Sequence, residues 1–408
     1  LIGSSDVTQL EIAQQGRVSP EVEAAAQAEG LPAEQIRSGV ADGTIVLPAN
    51  HNHPGLRPMA IGAGLRIKVN ANIGTSSEDP SLEHALARLR AAVDAGADTV
   101  MDLSTAGDLD AIRRQVISAC TLPVGTVPIY GAAVEATRRG GVAAMSEDDL
   151  FAVIRKHAED GVDFITVHCG VTRETVQLAL DGSRLTGVVS RGGAFTICWM
   201  REHQRENPLY ARFDDLLDIC REHDVTLSLG DGLRAGCLAD GSDRAQIAET
   251  ALLGELVLRA RRAGVQAMVE GPGHLQLDQV AANVVLEKRL CHGAPFYVLS
   301  PLVTDIAPGY DHIVGAIGGA VAGMAGADFL CYVTPAEHLG LPSVEEVREG
   351  VIATRLAGHA ADIVRLGPRA RARDDEMARA RASLDWQKQF ALALDPERAR
   401  SRHQPGGE

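Results

Sequence analysis

Met268-Val269-Glu270-Gly271-Pro272-Gly273-His274 is the stretch on which the reading of this chain turns. A mostly apolar run, Val265 to Val269, stops at a carboxylate, two glycines, a proline and a histidine. That is the pattern of a buried strand whose end opens into a site. Glycine has no Cβ, so the Gly-Pro-Gly turn lets backbone come close to a ligand. Glu270 and His274 are therefore expected to face one pocket. A second segment has the same design: Phe329-Leu330-Cys331-Tyr332-Val333-Thr334-Pro335-Ala336-Glu337-His338. Either alone is equally the pattern of a hydrogen-bonded loop histidine. Two strand ends that each deliver a Glu and a His predict one shared metal or acid/base site.

Outward from these two segments the same rhythm repeats: apolar strand, polar strand end, amphipathic helix. Strand candidates are Ile67 to Asn72, Thr99 to Leu103, Pro123 to Pro128, Asp163 to Cys169, Gly187 to Ser190, Thr226 to Leu229, Ala267 to Glu270, Pro295 to Leu299 and Asp328 to Thr334. Helical spacing is read over Pro80 to Ala95, Leu109 to Ala119, Glu147 to Glu159, Asp214 to His223 and Ala245 to Ala263. Near-continuous apolar strands alternating with helices imply a parallel sheet covered on both faces, and this many units favour a closed (β/α)8 barrel. Nine candidates are one too many for eight strands. Before the barrel, Val7 to Gln15 and Pro20 to Ala28 read as helices and Gly43 to Pro48 as a strand, giving a small N-terminal α/β domain over 1–62. The barrel is expected over 63–350. A C-terminal helical arm over 351–408 would include helices Val344 to Leu356, beginning inside the barrel, and Asp374 to Leu394, then a polar tail from Arg398.

Unusual polar residues gather at the ends of these strands: Asn70, Asn72, Asp102, Ser104, Tyr130, His168, Ser190, Arg191, Asp231, Arg234, Glu270, His274, Tyr297, Glu337 and His338. In a parallel barrel that face carries the active site. Ser190-Arg191-Gly192-Gly193 and Asp231-Gly232-Leu233-Arg234 suit a phosphate, through backbone N–H groups, a hydroxyl and guanidinium groups. The loop Asn50-His51-Asn52-His53-Pro54 offers two further histidines as candidate ligands.

Composition sets the limits. Apolar residues make up 45% and aromatics 3%, so the core must be built from Ala, Val, Leu and Ile. No run of 18 apolar residues and no basic start before an apolar stretch is present, which predicts a cytoplasmic chain with no membrane partner. A net charge of −15 argues against nucleic acid as a partner. From Arg355 onward 11 Lys/Arg face 8 Asp/Glu, a net +3 that leaves −18 on the remainder. Such an arm suits an acidic surface, its own or a neighbour's, as well as solvent. The seven cysteines have no disulfide-framework or zinc-ribbon spacing.

Six motifs together resemble one family. They are Val69-Asn70-Ala71-Asn72-Ile73-Gly74-Thr75-Ser76, Thr99-Val100-Met101-Asp102-Leu103-Ser104-Thr105, Leu227-Ser228-Leu229-Gly230-Asp231-Gly232-Leu233-Arg234, Glu270-Gly271-Pro272-Gly273-His274, the run Thr304-Asp305-Ile306-Ala307-Pro308-Gly309-Tyr310-Asp311-His312, and Val333-Thr334-Pro335-Ala336-Glu337-His338-Leu339-Gly340-Leu341-Pro342. The chain resembles, from about Val7 to His403, the radical S-adenosylmethionine enzymes that comprise phosphomethylpyrimidine synthase and its paralogue 5-hydroxybenzimidazole synthase. The resemblance implies a carbon–carbon lyase acting on aminoimidazole ribotide, with S-adenosylmethionine and a [4Fe–4S] cluster as cofactors, a reductant protein as partner and a homodimer. It implies ribotide contacts at Asn72, Met101, Tyr130, His168, Ser190, Arg191, Gly192, Asp231, Gly232, Leu233, Arg234, Glu270 and Tyr297. It also implies catalytic proton transfers by Glu270 or His168, and a zinc or iron ion on His274 and His338. The basic arm would pack on a neighbouring subunit and deliver its cluster there.

The family's Cys-x2-Cys-x4-Cys cluster motif is absent from the sequence, and the native chain is expected to continue into it. Without it, a cluster-free ribotide-binding protein or a metal-dependent hydrolase is the alternative. Smaller departures from the pyrimidine synthases fall at Ala106, Gly131, Ala194, Leu275-Gln276 and Ser300. Taken as pocket residues, they favour 5-hydroxybenzimidazole as product, with phosphomethylpyrimidine synthase as the alternative.

Overall fold

The computed structural model describes residues 7–404. Three short helices open the chain: α1 (Gln9–Gln14), α2 (Pro20–Glu29) and α3 (Ala33–Asp42), followed by an antiparallel pair, β1 (Ile45–Val46) with β2 (Ile61–Gly62). Helix α3 is not among the sequence expectations. It starts without a side-chain cap, and only Ile36 and Val40, one turn apart, mark its buried face.

Eight parallel strands then close into a barrel: β3 (Lys68–Ile73), β4 (Thr99–Asp102), β5 (Val124–Thr126), β6 (Phe164–Val167), β7 (Thr226–Leu229), β8 (Ala267–Gly271), β9 (Phe296–Val298) and β10 (Phe329–Cys331). They are neighbours in chain order, and β10 pairs with β3. The surplus strand candidate is Gly187 to Ser190, which is irregular. Gly187 has a left-handed φ of +67°, and Ser190 is committed to capping the helix that follows, so the two apolar residues between them have no strand to extend.

The helices around and beyond the barrel are α4 (Leu82–Asp94), α5 (Leu109–Ala119), α6 (Pro128–Thr137), α7 (Glu147–Glu159), α8 (Arg173–Ala179), α9 (Arg191–His203), α10 (Pro208–Ala211), α11 (Phe213–His223), α12 (Arg244–Arg262), α13 (Leu277–Leu290), α14 (Asp311–Ala325), α15 (Val344–Leu366), α16 (Pro368–Ala382), α17 (Trp386–Leu392) and α18 (Pro396–Arg402). Residue 351, where the arm is expected to begin, lies inside α15. The single helix expected over Asp374 to Leu394 is two: Leu384 adopts φ +53° and Asp385 caps α17 by accepting from Lys388 N. The expected tail from Arg398 is helical through Arg402, and residues 405–408 lie outside the described residues. Arg348 holds Asp395 at 2.8 Å and Glu397 at 3.1 Å, so α18 is anchored on α15 of its own chain.

The N-terminal residues plug the bottom of the barrel, where the strands begin. Thr8 Oγ1 donates to Gly264 O, Gln9 N to Asp224, Asn50 N to Asp163, and Leu47 exchanges two hydrogen bonds with Gln266. His53, offered above as a candidate ligand, is buried here with its ring between Asp163 (2.7 Å) and Cys120 O (2.9 Å), at the opposite end from the strand C-termini. The loop 50–54 therefore contributes no ligand to the strand-end face. Lys68 at the start of β3 pairs with Glu29 of α2 at 2.9 Å, with side chains 0% and 6% exposed. Removing one partner of a buried pair leaves the other charge uncompensated. Lys68→Met is expected to cost about 3–5 kcal/mol of stability, read by urea unfolding. The double change with Glu29→Leu should recover much of it. A single variant as stable as the parent would show the pair to be dispensable.

Candidate functional site

The strand tops converge on one cavity. It is lined by Asn72 of β3, Met101 of β4, Tyr130, His168, Asp231, Arg234, Glu270 of β8 and Tyr297 of β9, together with Leu103, Val127, Thr166, Gly271, Val298, Leu299 and Cys331. Eight of the ribotide contacts implied by the resemblance share this lining. Ser190, Arg191, Gly192, Gly232 and Leu233 do not.

The reasons are local. Ser190 is buried and its hydroxyl accepts from Gly193 N, capping α9. Arg191 leaves the rim exposed, its guanidinium 5.3 Å from the centre of the Tyr130 ring. A Cβ at Gly192 would fall 2.1 Å from His168 Cε1, and one at Gly193 2.3 Å from Gly232 O. Both glycines are thus required for the N-terminus of α9 to press against His168 and the 231–234 loop. Leu233 is fully buried and packs in the core.

Glu270 stands at the centre. Thr166 Oγ1 of β6 (2.7 Å) and Ser228 Oγ of β7 (2.6 Å) both donate to its Oε1. Burial raises the Glu270 carboxyl above the ordinary range, and the nearby Asp231 carboxylate raises it further. Burial also raises Asp231, against the pull of Arg234 at 3.1 Å. His168 goes the other way: buried beside Arg234, it is pushed down to about 3 and is a neutral imidazole. Its Nδ1 has no hydrogen-bond partner among the described residues. Tyr297 accepts from Asn70 Nδ2 (2.8 Å), and Asn70 also bonds Asn72. The arrangement is a cavity that brings together two raised carboxyls, a neutral imidazole and one guanidinium.

The two other predicted histidines meet beside it. The rings of His274 and His338 are 5.4 Å apart. His274 Nδ1 faces Asp305 at 2.7 Å and His338 Nδ1 faces Asp311 at 3.6 Å. In each case Nε2 is the nitrogen turned away from the carboxylate. His338 holds φ +62°, a left-handed conformation uncommon outside glycine and frequent at functional positions. Glu337, the other half of this motif, is not in the cavity lining; burial raises its carboxyl. Among the described residues no three His, Cys, Asp or Glu side chains converge as a ligand set. Asp102 and Ser104 bond one another and serve the local turn.

Sequence reasoning did not single out Thr166, Ser228, Asp305 or the lining residue Cys331 as functional. Signals existed: Thr166 sits two residues before His168 and so faces the same way along β6, and Asp305 and Asp311 bracket one of the quoted motifs.

A closed parallel barrel with this polar set at its strand ends defines a barrel enzyme, and comparison with known proteins sharpens the class. The profile described as the radical SAM ThiC family matches residues 8–407. The phosphomethylpyrimidine synthase of Desulforudis audaxviator is 61% identical over 398 residues, covering 97% of this chain and 92% of that protein. Those of Moorella thermoacetica (62% over 395 residues, 97% and 91%) and Geobacter metallireducens (59% over 394 residues, 96% and 90%) are similarly close. The chain belongs to the radical SAM ThiC family. It is therefore a radical S-adenosylmethionine enzyme, a class that works with S-adenosylmethionine and an iron–sulfur cluster. Among the described residues no helix is long and apolar enough to cross a membrane.

These relatives overturn the expectation of 5-hydroxybenzimidazole as product. The structure supplies the physical reason, because none of the departures on which it rested lines the cavity. Gly131 faces Val153 and His157 on α7, Ala194 is exposed on α9, Leu275 belongs to a separate core cluster, and Gln276 is exposed. Ala106 O accepts from Thr75, and Ser300 Oγ donates to Cys331 O. These positions answer to packing and turn geometry.

Proposed function

We propose that the chain is a phosphomethylpyrimidine synthase, rearranging aminoimidazole ribotide as a step of thiamine biosynthesis. The observation that carries this is the gathering of eight expected ribotide contacts around one cavity at the strand ends, in a chain so similar to synthases of that name. Arg234 and the N-terminus of α9 would take the phosphate; Gly192 and Gly193, where side chains do not fit, let that N-terminus press against His168 and the 231–234 loop. Asn72 and Tyr297 would orient the imidazole. Glu270 would move protons, since its raised pKa suits acid and base roles near neutrality. His168, neutral and with an unpartnered Nδ1, would hydrogen-bond the substrate; pushed down to about 3, it is too weak a base for the proton transfer that the resemblance offers it as an alternative to Glu270.

His274 and His338 would hold a divalent ion, zinc or iron, through Nε2. Two imidazoles backed by carboxylates are a donor set that leaves positions open for other ligands. The bound S-adenosylmethionine would supply a hydrogen-abstracting carbon radical; the residues described here bind, orient and exclude water around that chemistry. The seven cysteines do not fit a cluster: six are buried, and Cys198 stands exposed on α9. No step is assigned to them. A homodimer is the assembly expected for this reading.

Anaerobic turnover of aminoimidazole ribotide by full-length protein carrying a reconstituted cluster, read by mass spectrometry, is the test. Hydroxymethylpyrimidine phosphate is the expected product. Formation of a benzimidazole in its place, or ribotide binding with no turnover, would sink the assignment.

A further inference from the structure

Behind the cavity a fourth carboxyl is buried without a function so far. Glu249 of α12 is 2% exposed. Its Oε2 accepts from Leu233 N at 2.8 Å, and its Oε1 has no partner among the described residues. The side chain is fixed in place: a Cβ at Gly170 would come within 2.7 Å of Glu249 Cγ, so the turn after His168 packs directly on it. Glu249 also borders a small enclosed space together with Asp231 and Glu270, both of which face the substrate cavity on their other side.

Leu233 is gripped on its other polar atom as well. Its carbonyl accepts from Arg184 Nη2 at 2.5 Å, and Arg184 is in turn held by Asp243, the N-cap of α12, at 2.6 and 2.8 Å. One helix therefore fixes both the N–H and the carbonyl of the residue between Gly232 and Arg234. A leucine or methionine at position 249 would fill the same volume without burying a carboxyl that has an unpaired oxygen, which is costly. Burial holds this carboxyl well above its ordinary range. The cost is explained if the hydrogen bond to Leu233 matters to the site.

We propose that Glu249 is a positioning residue for the reaction, fixing the backbone of Leu233 and through it the placement of Asp231 and Arg234 at the substrate. This rests on the reading that those two residues bind the ribotide. The test is calorimetric binding of aminoimidazole ribotide to the full chain, with thermal melting as the check on folding. Glu249→Leu removes the acceptor, Glu249→Asp withdraws it by one methylene, and Glu249→Gln retains it. Losing a buried hydrogen bond of this kind should weaken binding about tenfold in the first two. The glutamine variant should return to within about threefold of the parent. Glu249→Asp keeps the test alive if Glu249→Leu does not fold. Parental affinity in the aspartate variant, or a glutamine variant as weak as the leucine one, would overturn the proposal. Arg234→Met separates the two readings: if it binds ribotide like the parent, the substrate assignment fails, whereas weak binding there with parental binding in Glu249→Asp removes only the positioning role.

Discussion

Glu270→Gln is expected to lower turnover by about 10²–10⁴-fold, the usual worth of a general acid–base group, while ribotide binding stays measurable. The amide keeps an oxygen for Thr166 and Ser228, which donate at 2.7 and 2.6 Å, so the shape of the site survives. What is lost is the exchangeable proton. The sign of the pH response follows from the raised carboxyl. Glu270 keeps its proton to higher pH than an ordinary glutamate, and the Asp231 carboxylate is one cause. Asp231→Asn should therefore let Glu270 ionise at lower pH and move that limb of the pH–rate profile downward. Unaltered turnover in Glu270→Gln would remove its assigned role.

The second large effect concerns the ion. His274→Ala and His338→Ala should each abolish tight binding of Zn(II) by the reconstituted chain, with the melting temperature close to the parent's. His338 is about half exposed, and His274, though buried, bonds the partly exposed Asp305 and not the core, so neither holds the core together. Loss of an outer partner of a metal-bound histidine typically costs 10–100-fold in affinity. Asp305→Ala should fall in that range of about 10–100-fold, below either histidine variant. An ion retained by His274→Ala, or a parent chain that takes up none, would eliminate the two-histidine site.

How far the chain could be read beforehand varied with the kind of force at work. The barrel was legible because most of its strands are largely apolar runs that end up buried, and helices such as α4, α5, α7 and α12 carry side-chain caps on periodic sequences. Gly187 to Ser190 looked like a strand for the same reason, since local composition does not reveal whether a neighbour exists to pair with. The cavity lining was legible where polar side chains terminate strands, as at Asn72, His168 and Glu270. Leu233 and Ser190 matched a motif, yet one turns into the core and the other spends its hydroxyl on a cap. Contacts that depend on three-dimensional approach were invisible, among them Glu249 beneath Leu233. The product was misjudged because Gly131 and Leu275 are close to pocket residues in sequence, although Gly131 abuts Val153 and His157 on α7 and Leu275 packs in a separate core cluster.

The plug at the bottom of the barrel bears on how the chain is made. Its hydrogen bonds join Thr8 to Gly264, Gln9 to Asp224 and Leu47 to Gln266, across 256, 215 and 219 residues. On a ribosome adding about 5–20 residues per second, these helices wait roughly 10–50 s for those partners to emerge. Throughout that interval the apolar side of α1 to α3, with Leu10, Val22 and Ile36, has only itself to pack against. Helices α1 to α3 are thus seated long after they are made, and the nascent chain keeps their apolar side uncovered until β8 has been added.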